Sequence, residues 1–458
     1  MAVPALAAVL AAGLLTGCGG RTGPAAPDNR ITVWSEENLP PQTVATQKII
    51  DRFEKQTGIR VKLVGVDENQ LPQLIMSAAA AGTLPDVMGG IPIGQVWQMY
   101  TNGLLNTDVT TEAVRHLGRA TFDDNALGLV SDKGARLAVP SDAWLQVLAY
   151  RKDLLAAAGL PAPDTYADLL RDAKALTTGH RVGAAVATDP ADVFTQQSFE
   201  DVALANNCQL TDGGGDVTLD SPACRRAFEV YDRLGSAYGS PGTQTVDSTR
   251  ATYFAGQSGM LLWSTFLLDE LAGLRDDSLP SCPRCRKDKG WLAEHTGLVT
   301  ALSGTAGSEP AQFGEVASWT VTKTAETAAS RTFVEYMVDQ GYEDWFGMSP
   351  EGQIPVRSGT AAEPHKYLDA WRSATIGVDT RRRLDQVFPD ALLDQLVAGV
   401  GHMQRWGFKQ GQGALVGATN GQLPVPKAVS AMTGGQISPA EAARQSQDEV
   451  GALQKSLK

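Results

Sequence analysis

The sequence predicts an α/β fold, and three observations carry that prediction. Short alternating or β-branched runs are followed by segments of helical periodicity and then by strands again. The helical segments stop at glycine. The alternation begins near residue 31 and returns late in the chain. Alternating elements of this kind place helices on a mostly parallel sheet. Taken in order, Ile31-Thr32-Val33-Trp34 reads as a strand. Residues 41–57 have helical spacing, with Val44, Ile49, Ile50 and Phe53 on one face and Gly58 as the stop. Residues 59–66 alternate as a second strand, which completes a β-α-β unit with a crossover helix. An Ala-rich helix at 71–81 ends at Gly82, and Pro85-Asp86-Val87-Met88 runs as a buried strand into Gly89-Gly90. Residues 150–290 are mainly helical. A helix at 151–159 breaks at Leu160-Pro161-Ala162-Pro163, and another starts at Thr165, with Asp164 or Thr165 as N-cap. Strand character returns at 316–321, a helix follows at 326–340, and the last hundred residues are helical with Gly-rich breaks.

Composition narrows the class. The 458 residues are 43% hydrophobic and 20% charged, ordinary globular values, and the length suits two or three domains. A net charge of −12 repels phosphate backbones, so no nucleic-acid partner is expected. The basic runs Arg284-Cys285-Arg286-Lys287 and Arg381-Arg382-Arg383 are short and read as solvated faces. The run from Ala5 to Leu15 is too short for a permanent membrane span, which needs ~20 residues. It suits the apolar part of a signal peptide covering residues 1–17. It ends in Leu15-Thr16-Gly17-Cys18, which resembles the bacterial lipobox and implies cleavage before Cys18 and lipidation of its thiol. One feature departs from that pattern: no Lys or Arg precedes the apolar run, which points to a true start upstream of Met1. Residues 18–30 then form the lipidated Cys and a Gly-, Pro- and Ala-rich tether.

The remaining cysteines are Cys208, Cys224, Cys282 and Cys285. An even number in an exported chain suggests disulfides, and Cys208–Cys224 and Cys282–Cys285 each close a short loop. Cys282-Pro283-Arg284-Cys285 also has zinc-like spacing with His295 following, but a second close-spaced ligand pair is missing, so no metal is expected.

Several segments, in order, resemble the extracellular solute-binding proteins of carbohydrate ABC importers, the maltose-binding-protein type. They are the opening Ile-Thr-Val-Trp at 31–34, Phe53-Glu54-Lys55-Gln56-Thr57-Gly58-Ile59-Arg60-Val61, and Gly82-Thr83-Leu84-Pro85-Asp86-Val87. Val139-Pro140, then Leu148-Ala149-Tyr150-Arg151-Lys152-Asp153-Leu154-Leu155 and Pro163-Asp164-Thr165-Tyr166-Ala167-Asp168-Leu169-Leu170, continue the likeness. So do Phe254-Ala255-Gly256-Gln257-Ser258-Gly259-Met260, Gly352-Gln353-Ile354-Pro355-Val356-Arg357 and Val425-Pro426-Lys427-Ala428. The resemblance implies a two-lobed periplasmic-binding-protein fold with discontinuous lobes, a hinge and an interlobe cleft that closes on its ligand. The expected division is 31–139 plus 294–348 for the N-terminal lobe and 140–293 plus 349–458 for the C-terminal lobe. It also implies ABC permease subunits as membrane partners, a monomer held by a lipid anchor on the outer face of the membrane, and no cofactor.

Ligands of open α/β sheets bind beyond the carboxyl ends of the strands. The loops 35–39, 89–94, 141–144 and 264–267 are therefore the expected site. A sugar presents hydroxyl edges and apolar faces, so its site needs carboxylates, amides or Arg together with flat aromatic platforms. Glu36 and Glu37 follow the first strand, and Gly90 lets backbone approach a solute. Ser141, Asp142 and Trp144 lie near the first crossover, and Trp263 and Ser264 follow the Met260 strand. Phe313 and Gly314 precede the returning strand, and Arg357 follows the Gly-x-x-Pro turn. Asp86 reads as a structural cap, Trp319 as core, and Trp97 and Trp406 as packing; Trp345 and Trp371 stay open between groove and core. There is no Walker loop, no His-Glu-x-x-His and no Gly-x-Ser-x-Gly, and the five His are scattered, so no enzyme is expected.

Overall fold

The computed structural model describes residues 29–68, 70–305 and 309–457. The leader, Cys18 and most of the tether lie outside the described residues. Strand β1 (Arg30–Ser35) pairs in parallel with β2 (Arg60–Gly65) and β3 (Val87–Pro92). The crossover from β1 to β2 is α1 (Pro40–Thr57), and that from β2 to β3 is α2 (Leu71–Ala81). Helix α1 buries Thr46, Ile49, Ile50 and Phe53, a stripe at helical spacing. Val44, expected on that face, is 56% exposed, because Thr46 occupies the position one turn before Ile49 and Ile50. Phe53 meets Phe333 and Tyr336 edge-on at 5.1 and 5.2 Å. Asp86 caps from the start of β3. Its Oδ2 accepts from Thr32 N at 2.8 Å and its Oδ1 from Glu326 N at 2.9 Å, just ahead of the helix Thr327–Met337.

The organising element is β4 (Val139–Arg151), thirteen residues long. Further strands are β5 (Val182–Ala185), β6 (Ser258–Ser264), β7 (Thr296–Val299), β8 (Gly314–Val321) and β9 (Ile354–Pro355). The nine-stranded path runs β2-β1-β3-β8-β4-β6-β5, with β7 and β9 also on β4. From Val139 to Leu145, β4 pairs antiparallel with β8, and β9 joins at Ala143 and Asp142. From Gln146 to Tyr150 it pairs with β6, and from Leu148 to Arg151 with β7. One strand thus changes partners at Leu145–Gln146 and is shared by two sheets, in a two-lobed α/β fold.

The helix Tyr166–Leu176 is fixed by a capping box between Thr165 and Asp168. Two more helices matter for the site. The first 193–197 stretch of α4 (Val193–Ala205) faces α3 (Ile93–Thr101) across a gap. Close to the chain end, α5 (Gly413–Gln422) lies directly on α3: a Cβ at Gly413 would fall 2.1 Å from Trp97, and one at Gly417 2.9 Å from the Gly94 carbonyl. That backbone-to-backbone approach carries Asn420 to the gap. Cys208 is bonded to Cys224 and Cys282 to Cys285. Among the described residues, no helix is long and apolar enough to cross a membrane, and no three His, Cys, Asp or Glu are grouped as metal ligands.

Candidate functional site

A crevice of about 410 Å³ opens between these elements. Glu68, at the carboxyl end of β2, and Gln95 and Gln98 of α3 form one wall; Gln197 of α4 and Asn420 and Gln422 of α5 form the other, with Glu315 of β8 between them. Pro72, Pro92 and Leu423 add apolar edges, and no lining residue is aromatic. Depressions of about 440 to 550 Å³ lie elsewhere, but none of them includes the ends of β2 and β8.

Carboxylates crowd this place. Burial holds Glu36 well above the usual carboxylate range, and Glu68, Glu37, Glu315 and Asp67 raise it further. Its Oε1 is enclosed with no hydrogen-bond partner. Glu37 is pushed up to about 8 by burial and then by Asp142 and Glu68, against the opposing pull of Gln353, whose Nε2 donates to Glu37 Oε1 at 2.8 Å. Glu68 is pushed up to about 7, first by the protein packed around it and then by Glu315, Asp192 and Asp67, although its side chain stays open to solvent across the crevice. The nearby buried cation is already engaged. Arg405 Nη1 donates to Glu315 Oε2 at 2.6 Å and its Nε to Glu200 Oε1 at 3.2 Å. Such a wall can accept hydrogen bonds and attract positive charge; it has little to offer an anion.

The structure brings some expected residues together and sends others elsewhere. Glu36 and Glu37 stand in the carboxylate group, and Gly90 (φ 78°) lies against Glu36, 3.5 Å from its Cβ to a Cβ built on the glycine. Asp142 is buried beside Glu37 and pushed up to about 6 by burial, which Ser141 Oγ and Trp345 Nε1 offset by donating to Oδ1 at 2.7 and 2.8 Å. Trp144 shares the Asp142 face of β4 by strand alternation, stands opposite Glu315 in register, and lies half-buried 5.7 Å from Phe313.

Five of the expected residues are enclosed away from the crevice. Trp263 is 6% exposed, packs on Phe194 at 5.8 Å and gives its indole N–H to Val246 O; it pairs with Val147 and so shares the apolar face of β4. Ser264, opposite Gln146, is likewise buried. Phe313 is fully buried with Arg405 stacked 4.4 Å from its ring, and Gly314 makes room for Met403, whose Sδ would lie 2.4 Å from a Cβ there. Arg357 is spent on structure: it donates to Leu117 O and Val338 O at 2.7 Å and to Thr121 Oγ1 and Asp339 Oδ1 at 3.0 Å.

Glu68, Glu315, Gln197, Gln353 and Asn420 were not expected. Glu68 had a signal, since it follows a strand of the same sheet as Glu36. Gln197 and Asn420 had none, because their place depends on how α4 and α5 pack. Phe266, in the loop 264–267, is a half-buried aromatic that the residue pattern gave no reason to prefer over Trp263; its ring lies flat on Gly352, beside Gln353.

Residues 48–371 match the family model of the bacterial extracellular solute-binding protein. The chain belongs to that family. This binding protein is 30% identical over 321 residues to YcjN of Escherichia coli (strain K12), provisionally named an ABC transporter periplasmic-binding protein, with 68% of this chain and 69% of that one covered. Among solved structures it is similar to the maltose-bound MalE3 of T. maritima, at TM-score 0.69 and 16% identity, covering 93% of this chain and 99% of the other. It is also similar to the GacH receptor of Streptomyces glaucescens, at TM-score 0.70 and 19% identity, covering 94% and 99%. A ribitol complex from Agrobacterium radiobacter K84 gives 0.67 and 19%, covering 93% and 98%. These likenesses establish the shared fold.

Proposed function

We propose that the protein is the solute-capturing component of an ABC importer, and that it holds a sugar or polyol in the crevice between its lobes without chemical turnover. The observation that carries this reading is a set of enclosed oxygens without partners on residues behind the crevice wall: Glu36 Oε1, close enough to feel Glu68 and Glu315, Gln353 Oε1, whose amide holds Glu37, and Gln196 Oε1, whose amide holds Asn420. Buried polar groups are normally paired. Unpartnered oxygens so close to the crevice wall suit a ligand that arrives carrying hydroxyls. MalE3 holds maltose and the Agrobacterium protein holds ribitol, so the shared fold accommodates both cyclic and open-chain polyhydroxy ligands. A wall of amides and carboxylates without aromatic platforms suits a short or open-chain ligand better than a stacked oligosaccharide.

On this reading the lobes divide close to, but not at, the expected boundaries: the first crossing is at Leu145–Gln146, where β4 changes partners, and the return is after Val299, where β7 leaves the second half of β4. Bending there closes α4 and α5 over Glu36 and Glu68, and the closed form docks on the permease. Outside the folded body, Cys18 carries the lipid that keeps a monomer at the outer membrane face; mass spectrometry of Cys18 peptides from a membrane fraction tests this, and an unmodified thiol there contradicts it. For the solute, isothermal titration with mono- and disaccharides and alditols is the test. Binding lost in Asn420→Ala supports the assignment, and no binding by any of them overturns it.

A further inference from the structure

The charge held in the crevice narrows the ligand class, on the reading that this crevice is the solute site. Glu68, Glu37 and Glu315 raise the proton affinity of Glu36, and Glu68 raises that of Glu37, so the four lie within electrostatic reach. Only Glu315 has a cationic partner among the described residues, and that partner, Arg405, is shared with Glu200. Glu36, Glu37 and Glu68 have no Lys or Arg within ion-pair distance among the described residues.

A second observation is independent of the charge count. Gln353 is 1% exposed and its amide N–H donates to Glu37 Oε1 at 2.8 Å. Its own Oε1 is then enclosed without a partner, next to Glu37. Glu36 Oε1 is in the same state. The oxygens left unpartnered here belong to an amide and a carboxyl group, and burial and crowding make the carboxyl groups of Glu36 and Glu37 hold protons that an arriving cation displaces.

A hydroxyl can pair with any of these oxygens, but only a cation lets the crowded carboxyls ionise. An ammonium has three donors and no acceptor, and its hydrogen bonds to carboxylates are charge-assisted. We infer that the ligand is a polyhydroxylated molecule bearing a protonated amine, an amino sugar or an aminated alditol, whose ammonium sits among Glu36, Glu37 and Glu68 while its hydroxyls face Gln197 and Asn420. Neutral sugars bind less tightly, and phosphorylated ones are repelled.

Matched pairs differing at one position test this by titration calorimetry at pH 7: D-glucosamine against D-glucose, and 1-amino-1-deoxy-D-sorbitol against D-sorbitol. The aminated member of at least one pair binds tenfold or more tighter than its twin. That preference drops below threefold in Glu68→Gln, an open side chain whose replacement leaves folding intact, and in Glu36→Gln. A hydroxyl twin that binds as well or better overturns the amine assignment and leaves the crevice a neutral sugar or polyol site. An amine preference undiminished in both variants overturns the placement of the ammonium. Failure of every member to bind contradicts both this inference and the proposed function.

Discussion

Arg357 and Glu36 are both ionisable side chains enclosed by protein, and the chain treats them in opposite ways. Arg357 donates to two backbone carbonyls, a hydroxyl and a carboxylate, with the Tyr367 ring 5.2 Å from its guanidinium. Glu36 faces other carboxylates and keeps one oxygen without any partner. An enclosed charge whose hydrogen bonds are all met within the chain holds the fold together; one left short of partners is waiting for something from outside. Both were candidates for ligand contact on residue type alone, and only their surroundings separate them.

The sharpest way to break this comparison is to remove Arg357. Arg357→Ala strips the partners from Thr121, Asp339 and two carbonyls, so the free energy of unfolding falls by about 2–3 kcal/mol in urea titrations, while solute affinity of the folded protein is unchanged. Loss of affinity at full stability would instead place Arg357 at the ligand. Next comes Glu36→Gln, with the reverse signature. Solute affinity drops tenfold or more, about 1.4 kcal/mol, and the empty protein is as stable as before or more so, because an amide is buried neutral without the proton that burial makes Glu36 hold.

A pH titration sharpens the same contrast. Glu37 and Glu68 have folded values of about 8 and 7 against 4.5 for the free side chain. The folded protein therefore holds more protons than the unfolded chain between these values, and stability falls as pH rises from about 4.5 to about 8. Melting temperatures of the empty protein decline across that window, and the decline is shallower in Glu37→Gln. Equal slopes would show that Glu37 is not held among like charges. The smallest effect is expected at Trp263→Phe, which keeps the packing on Phe194 and loses only the bond to Val246 O: solute affinity stays within twofold, and a larger change would return Trp263 to the site.

Much of the fold was legible because it is local. Residues 71–81 form the helix expected from their periodicity, and the Thr165 cap with Asp168 three residues on is a signal contained within four residues. The site was legible only where one rule sufficed: Glu36, Glu37 and Gly90 follow or end strands of one sheet, and that sheet's carboxyl edge is where ligands bind. The aromatic expectations failed because strand alternation alone does not say which face is apolar. Trp263 and Ser264 point to opposite sides of β6, and the helices packed on each side, far away in sequence, make both sides buried. Gln197 and Asn420 come opposite Glu68 only because α5 packs on α3 and α4 faces it across the crevice, and no spacing in the chain encodes neighbours more than a hundred residues apart.

The central claim is that solute binds in the crevice walled by Glu68 and Asn420, and melting curves test it most directly. A ligand at ~100 times its dissociation constant adds about 2.7 kcal/mol to the folded state. The account predicts that a sugar, amino sugar or alditol that raises the melting temperature of the native protein fails to do so in Glu68→Gln/Asn420→Ala, and still does so in Trp263→Phe. An undiminished shift in the crevice double variant would contradict it.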